Sequence, residues 1–138
     1  MRDCANHARK PIRILSRLVC MAYLRLLWIH VLLAWGGFPA VHRKLYRTLP
    51  RRKRFDTWTE PELCQAIDLA CVLYFKPVLC LARSAVTTIL LRESGIAAEM
   101  VIGAQPCPFR AHAWVEAAGR TINDKPYITE LYAVLERC

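Results

Sequence analysis

The sequence predicts an α+β fold, with helices in the first two thirds of the chain and a small antiparallel sheet after them. Apolar residues dominate residues 12–35 and 78–92, which indicates two helices with buried faces. Three shorter strand-like segments follow at residues 97–103, 109–116 and 120–124. Helices followed by a run of strands are typical of α+β domains.

Charge divides the chain of 138 residues into two unlike parts. Residues 1–54 contain 13 Lys and Arg and a single acid, Asp3, whereas the remaining residues contain 7 Lys and Arg and 10 acids. The excess positive charge, +9 for the whole chain, therefore lies in the N-terminal part. We predict a basic helical N-terminal region at residues 1–55 and one small folded domain at residues 56–138.

The seven cysteines show neither the paired spacing of a disulfide framework nor a CxxC motif. Free thiols are typical of a reducing compartment, so we expect a cytoplasmic protein. We expect no secretory signal, because Arg17 and Arg25 interrupt the first apolar stretch and no small-residue cleavage site follows it. Cys64 and Cys71 lie seven residues apart and are predicted to share a buried helix face.

The first helix is predicted over residues 12–35, and a Gly-Gly-Phe-Pro break at residues 36–39 ends it. We expect its apolar face to pack on the rest of the chain or on a partner protein. Peripheral contact with anionic lipid through residues 12–54 is the alternative. A membrane span is not expected, because the longest charge-free piece, residues 26–38, is shorter than the ~20 residues that a span needs.

A second short helix is predicted over residues 41–49, followed by a basic linker at residues 50–54. A nucleic-acid site would need aromatic side chains interleaved with a basic face, so we interpret this run as solvated and expect no nucleic-acid partner.

The next helix begins after Thr59, a good N-cap, and runs to about residue 75. Pro61 lies in its first turn, between two acids that suit the positive end of a helix.

The helix over residues 78–92 places a cysteine at its start. Pro77 suits a first helical turn, since its missing N–H would have no partner there. Gly95 is predicted to end the helix in a left-handed C-cap, with Ile96 folded back on the last turn. Cys80 then lies in the first turn, where unpaired N–H groups and the helix macrodipole favour a thiolate and could hold an oxyanion.

The two strands at residues 109–116 and 120–124 are predicted to form a hairpin. A three-residue loop with Gly119 in the left-handed region fits the segment between them. Directly opposed residues have Cβ atoms roughly 4.5–5.5 Å apart, which would bring His112 within reach of Asp124. The predicted register places Glu116 opposite Arg120, Trp114 opposite Ile122 and His112 opposite Asp124.

A thiol, an imidazole and a carboxylate in this order are the components of an activated cysteine nucleophile. We predict catalytic roles for Cys80, His112 and Asp124. Simpler interpretations are that His112 is a core histidine and that Asp124 caps the turn before Pro126. Cys107 is the rival nucleophile, but the prolines on both sides of it deny it a helix N-terminus.

Further segments accompany these residues: Cys80-Leu-Ala-Arg-Ser, Leu91-Arg-Glu-Ser-Gly-Ile, Val101-Ile-Gly, Phe109-Arg-Ala-His-Ala-Trp-Val-Glu, Gly119-Arg and Ile122-Asn-Asp. Together they resemble the transglutaminase-like peptidases that remove the leader in lasso peptide biosynthesis. The resemblance covers about residues 60–138 and implies a papain-like or transglutaminase-like core for the domain at residues 56–138. It implies that Cys80 is the nucleophile, that His112 is the general base and then acid, and that Asp124 orients His112.

The resemblance also implies a substrate and partners. Members of this family cut the leader from a lasso precursor peptide, and a cyclase then closes the ring with ATP. Their leader-recognition domain is fused in some members and is a separate protein in others. Nothing in the sequence resembles that domain, so we expect a separate recognition protein. No GxxxxGK phosphate loop occurs, and we expect neither a cofactor nor a metal.

Several other side chains near these motifs are expected to support the site. Trp114 and Ser84 are predicted to line the cleft and bind substrate, with plain packing as the alternative for both. Residues 127–135 are predicted to form a short helix or a last strand. A second oxyanion donor stays unassigned among Tyr74, Lys76 and Gln65. Two ion pairs are expected, Arg83 with an acid such as Glu99 and Glu116 with Arg120 across the hairpin.

Two other functions use the same residues. In the first, an amine captures the Cys80 thioester, as in transglutaminases, and product masses distinguish amine condensation from water addition. In the second, the chain is a peptide-holding scaffold without turnover. A Cys80 that reacts with iodoacetamide no faster than Cys107 near neutral pH would favour the scaffold.

Overall fold

The computed structural model describes residues 12–51 and 58–138, with the backbone alone for residues 12–14. The first eleven residues of the predicted N-terminal region and most of the basic linker at residues 50–54 lie outside the described residues. In chain order the elements are α1 Ile12–Arg47, α2 Glu60–Leu73, α3 Cys80–Glu93, β1 Ala98–Pro106, β2 Phe109–Ala117, β3 Arg120–Thr121, α4 Ile128–Leu131 and β4 Ala133–Arg137.

The strands form one antiparallel sheet in the order β3-β2-β1-β4. The helix α3 packs against β1 and β2, while α1 and α2 cover its other sides. Helices layered on a small antiparallel sheet confirm the predicted α+β arrangement. The last segment contains both of the predicted alternatives, since the short helix α4 leads directly into β4.

The helix α3 begins and ends through local chemistry. Its first residue is Cys80 and its N-cap is Leu79, so the predicted start at residue 78 was two residues early and Pro77 lies before the helix. Gly95 adopts a φ of 83°, as predicted. The Gly95 N–H donates to Arg92 O at 3.0 Å and the Ile96 N–H to Leu91 O at 2.9 Å, which is the Schellman pattern.

The predicted break in the first helix is present as a kink. Gly37 has φ 63° and ψ −163° inside α1, and the helix resumes beyond it to Arg47. These angles are not helical, so α1 consists of two helical segments that meet at Gly37, as the Gly-Gly-Phe-Pro break predicted. By length and composition α1 could span a membrane, a property that core helices of soluble proteins and signal sequences share.

One face of α1 belongs to the main core. The fully buried side chains along it include Leu18, Leu26, Ile29 and Leu45, which join residues of α2, α3 and the sheet in a single apolar cluster. The predicted packing of this helix on the rest of the chain is therefore confirmed. The core is continuous across the predicted boundary between residues 55 and 56.

Arg92 links three elements from inside this core. Its Nε donates to Ala98 O at 2.7 Å, and its Nη1 donates to Leu45 O at 2.7 Å and Thr48 O at 3.2 Å. Burial lowers the pKa of its guanidinium from the usual value. The side chain thereby satisfies carbonyl groups at the C-terminal end of α1 and the start of β1.

Replacing Arg92 with methionine is expected to lower the free energy of unfolding by about 2–4 kcal/mol, because each carbonyl left buried without a donor costs about 1–3 kcal/mol. Urea denaturation measures the change. Arg110→Met is the matched control, since Arg110 is exposed, and it should stay within about 0.5 kcal/mol of wild type. Equal losses in the two variants would contradict the linking role.

Candidate active site

Cys80 occupies the first position of α3 and is half-buried. The Arg83 N–H donates to Leu79 O at 3.1 Å, which closes the first turn of the helix. The N-cap Leu79 has no side-chain oxygen with which to cap the N–H groups before Arg83. The start of α3 thus leaves backbone donors near the thiol without helical acceptors.

Cys80 and His112 line the same cavity, which has a volume of about 260 Å³. His112 lies on β2, directly opposite Gly103 of β1. The rest of the cavity lining is apolar and consists of Phe38, Leu81, Ile102, Ala111 and Ala113. The structure therefore brings the predicted thiol and imidazole to one apolar cavity.

Asp124 completes the predicted group of three side chains. Its Oδ2 lies 2.5 Å from His112 Nε2, and its Oδ1 accepts from the Lys125 N–H at 2.7 Å. Burial alone would raise the pKa of Asp124, but the hydrogen bonds from His112 and Lys125, with the charges of His112 and Arg83, hold it below its usual value. Asp124 is thus set up to remain a carboxylate beside the imidazole.

The contact between His112 and Asp124 arises from a hairpin register that differs from the predicted one. Ala117 pairs with Arg120 and Glu116 with Thr121, so the loop has two residues instead of three. Both loop residues have positive φ, 50° at Ala118 and 71° at Gly119. The predicted register was wrong because it assigned the left-handed region to Gly119 alone.

The chain leaves the ladder between β2 and β3 soon after the turn. For this reason the observed register still allows His112 to contact Asp124. The strand β3 ends at Thr121, and the Ile122 N–H makes one more bond, to Val115 O at 2.8 Å. Residues 122–124 form a bend. The bend turns Asp124 towards His112, which a continued two-residue hairpin would not have done.

Asn123 and Ser84 fix this bend against α3 and β2. Asn123 Oδ1 accepts from the Val115 N–H at 2.7 Å, in the manner of a ladder carbonyl. Its Nδ2 donates to Ser84 Oγ at 3.0 Å, and Ser84 Oγ donates to Ala113 O at 3.0 Å. The residue before Asp124 is therefore tied both to the strand of His112 and to the helix of Cys80.

Two aromatic rings support the His112 imidazole. Their centroids lie 6.2 Å away at Trp114 and 5.4 Å away at Tyr132. Trp114 is fully buried, and its Nε1 donates to Glu116 Oε1 at 2.9 Å. A Cβ on Gly103 would lie 2.8 Å from the Trp114 ring, so this close packing requires glycine.

The substrate-binding roles of Trp114 and Ser84 stay predictions. Both side chains are fully buried, and neither lines the cavity that contains Cys80. Their observed contacts are with the chain itself, which favours the packing alternative for both. Tyr74, a candidate oxyanion donor, stacks on His30 at 5.0 Å and also lies outside this cavity lining.

Arg83 pairs with an acid, as predicted, whereas Glu116 does not pair with its predicted partner. Arg83 pairs with Asp68 at 2.5 Å instead of Glu99, because Asp68 on α2 faces the start of α3. Glu116 pairs with Arg137 of β4 at 2.7 Å. The expected partner of Glu116, Arg120, reaches Glu60 of α2 at 2.9 Å instead.

The six cysteines among the described residues are all free. Cys107, the rival nucleophile, lies exposed in the turn between β1 and β2 and away from His112. Cys64 is half-buried, and burial, with the nearby acids, raises the pKa of its thiol to about 11. Burial has the same effect on Cys138, whose pKa rises to about 11. Cys80 is the cysteine of this part of the chain that shares a cavity with a histidine.

Sequence reasoning missed three residues around the site: Phe38, Asn123 and Tyr132. The Gly-Gly-Phe-Pro break marked the position of Phe38, but no local pattern showed that the kink would direct it to Cys80. Asn123 was noted only within the family resemblance. The contact of Tyr132 with His112 depends on the pairing of distant strands.

Comparisons with known proteins place the chain in a family. The family model of the transglutaminase-like superfamily matches residues 21–137. Over 56 residues the chain is 38% identical to the microcin J25-processing protein McjB of Escherichia coli. The aligned stretch covers 41% of this chain and 27% of that protein's length. No solved structure matches the chain.

Proposed function

The chain belongs to the transglutaminase-like superfamily, and on that premise we propose that it is a cysteine peptidase that removes the leader from a lasso precursor peptide. The observation that carries the proposal is the shared cavity of Cys80 and His112, with Asp124 Oδ2 at 2.5 Å from the imidazole. The relative McjB, as its name states, processes microcin J25, and its similarity to this chain supports a peptide substrate.

The proposed reaction has two steps. The Cys80 thiolate attacks the carbonyl at the junction of leader and core, and a carbon–sulfur bond forms as the peptide C–N bond breaks. His112 gives its proton to the leaving amine. Water then loses a proton to His112 and hydrolyses the thioester, which releases the carboxylate of the leader and returns the thiol.

The chain's own groups supply the electrostatic support for these steps. The tetrahedral intermediate carries a negative oxygen, and backbone N–H groups at the start of α3 are free of helical acceptors to receive it. Asp124 holds the imidazole by its Nε2 and stabilises its protonated form. The other ring nitrogen of His112 then remains for exchange of a proton with the thiol and the leaving amine.

We further propose that a leader-recognition protein presents the precursor, that a cyclase receives the core and that the reaction takes place in the cytoplasm. The free cysteines of the described part of the chain fit a reducing compartment.

The reaction is tested by incubating the protein with lasso precursor peptides, the microcin J25 precursor among them, with and without a recognition partner. We expect two fragments whose masses sum to that of the precursor plus one water. A product with an added amine would assign acyl transfer instead. An intact precursor together with slow alkylation of Cys80 would favour a scaffold.

A further inference from the structure

The cavity beside Cys80 has the properties of a binding site for one side chain. Its volume of about 260 Å³ is below the ~300–1,000 Å³ typical of small-molecule sites. Apart from Cys80 and His112, none of the side chains that line it carries a polar atom. A charged group inserted there would lose water without gaining a partner from these walls.

One wall comes from the N-terminal helix. Phe38 follows directly after the kink at Gly37, where φ is 63°. A Cβ on Gly36 would lie 2.6 Å from the Ala40 Cβ, so the kink closes tightly and requires glycine there. The Gly-Gly pair thus directs an aromatic ring of α1 into the cavity of α3 and β2.

Phe38 is connected to the opposite wall through two further side chains. Its ring lies 5.5 Å from the imidazole of His42, and His42 Nε2 pairs with the carboxylate of Glu136 on β4. Glu136 lies directly opposite Ile102 in the ladder between β1 and β4. Ile102 also lines the cavity. The contacts of His42 and Glu136 therefore connect the wall formed by Phe38 with the wall formed by Ile102.

We propose that this cavity is a specificity subsite that accepts an uncharged, apolar side chain of the peptide next to the scissile bond, and that Phe38 sets its size. The proposal rests on the proposed function for the identity of the occupant as a peptide side chain. Each methylene that fits an apolar pocket changes the selectivity of an enzyme by about tenfold or more.

Alkylation of Cys80 tests the subsite without any peptide cleavage. The reagents are iodoacetamide, N-butyl iodoacetamide and a reagent of the same length that ends in a carboxylate. Mass spectrometry gives the rate at Cys80 relative to Cys107, the exposed thiol of the same chain. We expect the butyl group to raise this ratio about tenfold or more, and the terminal carboxylate to abolish the gain. If the three reagents ranked in the same order of rate at Cys80 as at Cys107, the proposal would be overturned.

Three variants examine the role of Phe38. Phe38→Ala should reduce the butyl gain to less than about threefold, whereas Phe38→Leu, which keeps an apolar wall, should retain most of it. Trp35→Ala is the matched control on the same helix, because Trp35 is 90% exposed, and it should leave the gain unchanged. A full gain in Phe38→Ala would overturn the assignment. If the alanine variant does not fold, Phe38→Trp decides it: the larger ring should narrow the cavity and lower the butyl gain below about threefold, and a full gain there would overturn the assignment.

A second readout separates this inference from the proposed function. With cleavable precursor peptides, an aspartate next to the scissile bond should lower kcat/KM by about 100-fold, and Phe38→Ala should shift the preference towards larger side chains. Reagent selectivity without any cleavage would support the subsite and contradict the peptidase. Cleavage without reagent selectivity would support the peptidase and contradict the subsite.

Discussion

Replacing Cys80 with alanine is expected to lower leader cleavage by at least ~10³-fold, because the thiol is the atom that forms the acyl-enzyme. The substitution removes one sulfur from a half-buried position, so the fold should be retained. The loss should therefore appear in kcat, with KM for the precursor nearly unchanged. Single-turnover assays by mass spectrometry measure both quantities.

Cys107→Ala is the matched control for this variant. Cys107 is exposed in the turn between β1 and β2 and does not line the cavity of His112, so its loss should leave cleavage within about twofold of wild type. A Cys80→Ala protein that keeps more than one tenth of the wild-type rate would contradict the nucleophile assignment. Unfolding curves of both variants should match that of the wild type.

Replacing Asp124 with asparagine is expected to lower kcat on the order of 10³-fold while the protein stays folded. Asparagine keeps the size of the side chain, but it removes the negative charge that lies 2.5 Å from His112 Nε2. The imidazole then loses the partner that fixes its tautomer and stabilises its protonated form. Glu130→Gln, an exposed carboxyl on α4, is the matched control and should retain full activity.

Asp124 also makes the free energy of unfolding depend on pH in the acid range. The pKa of Asp124 is lowered in the folded protein, so its contribution to stability is present above the unfolded pKa of about 3.9 and is lost as the pH falls through the folded value. The free energy of unfolding of Asp124→Asn should thus fall less steeply than that of wild type below about pH 4. Urea denaturation across this range measures the slopes, and identical slopes would contradict the linkage.

Some acid sensitivity should remain in the asparagine variant. Glu116 also has a lowered pKa: burial alone would raise it, but hydrogen bonds from Arg137 and Trp114 outweigh burial. This carboxyl is present in both proteins and destabilises both of them as it takes up a proton in acid. The comparison of the two slopes therefore isolates the contribution of Asp124.

The parts of the fold that depend on local chemistry were predictable from the sequence. Gly95 ends α3 in the left-handed region, Thr59 precedes α2, and the Gly-Gly pair breaks α1, because each of these features is determined within a few residues. The position of Cys80 in the first turn of α3 followed from the same kind of signal. The boundaries differed from the predictions by only a few residues.

Features that depend on the meeting of distant segments were not predictable. Arg83 and Glu116 each form an ion pair with a residue more than ten positions away in the sequence. Local spacing cannot predict which of several distant charged residues will be the partner. The predicted hairpin register was wrong because a non-glycine residue, Ala118, adopts a positive φ. The contact between His112 and Asp124 nevertheless formed, since the early end of β3 let the chain bend back.

The hydrogen bonds of Ser84 have a consequence for how the site tolerates motion. Ser84 lies one helical turn after Cys80 on α3, and it binds both Asn123, the neighbour of Asp124, and the carbonyl of Ala113, the neighbour of His112. Because these bonds connect the helix of Cys80 with the strand of His112 and the bend of Asp124, we expect a displacement of α3 to move all three side chains with it. The distances among the three groups should therefore vary less than the position of α3 itself.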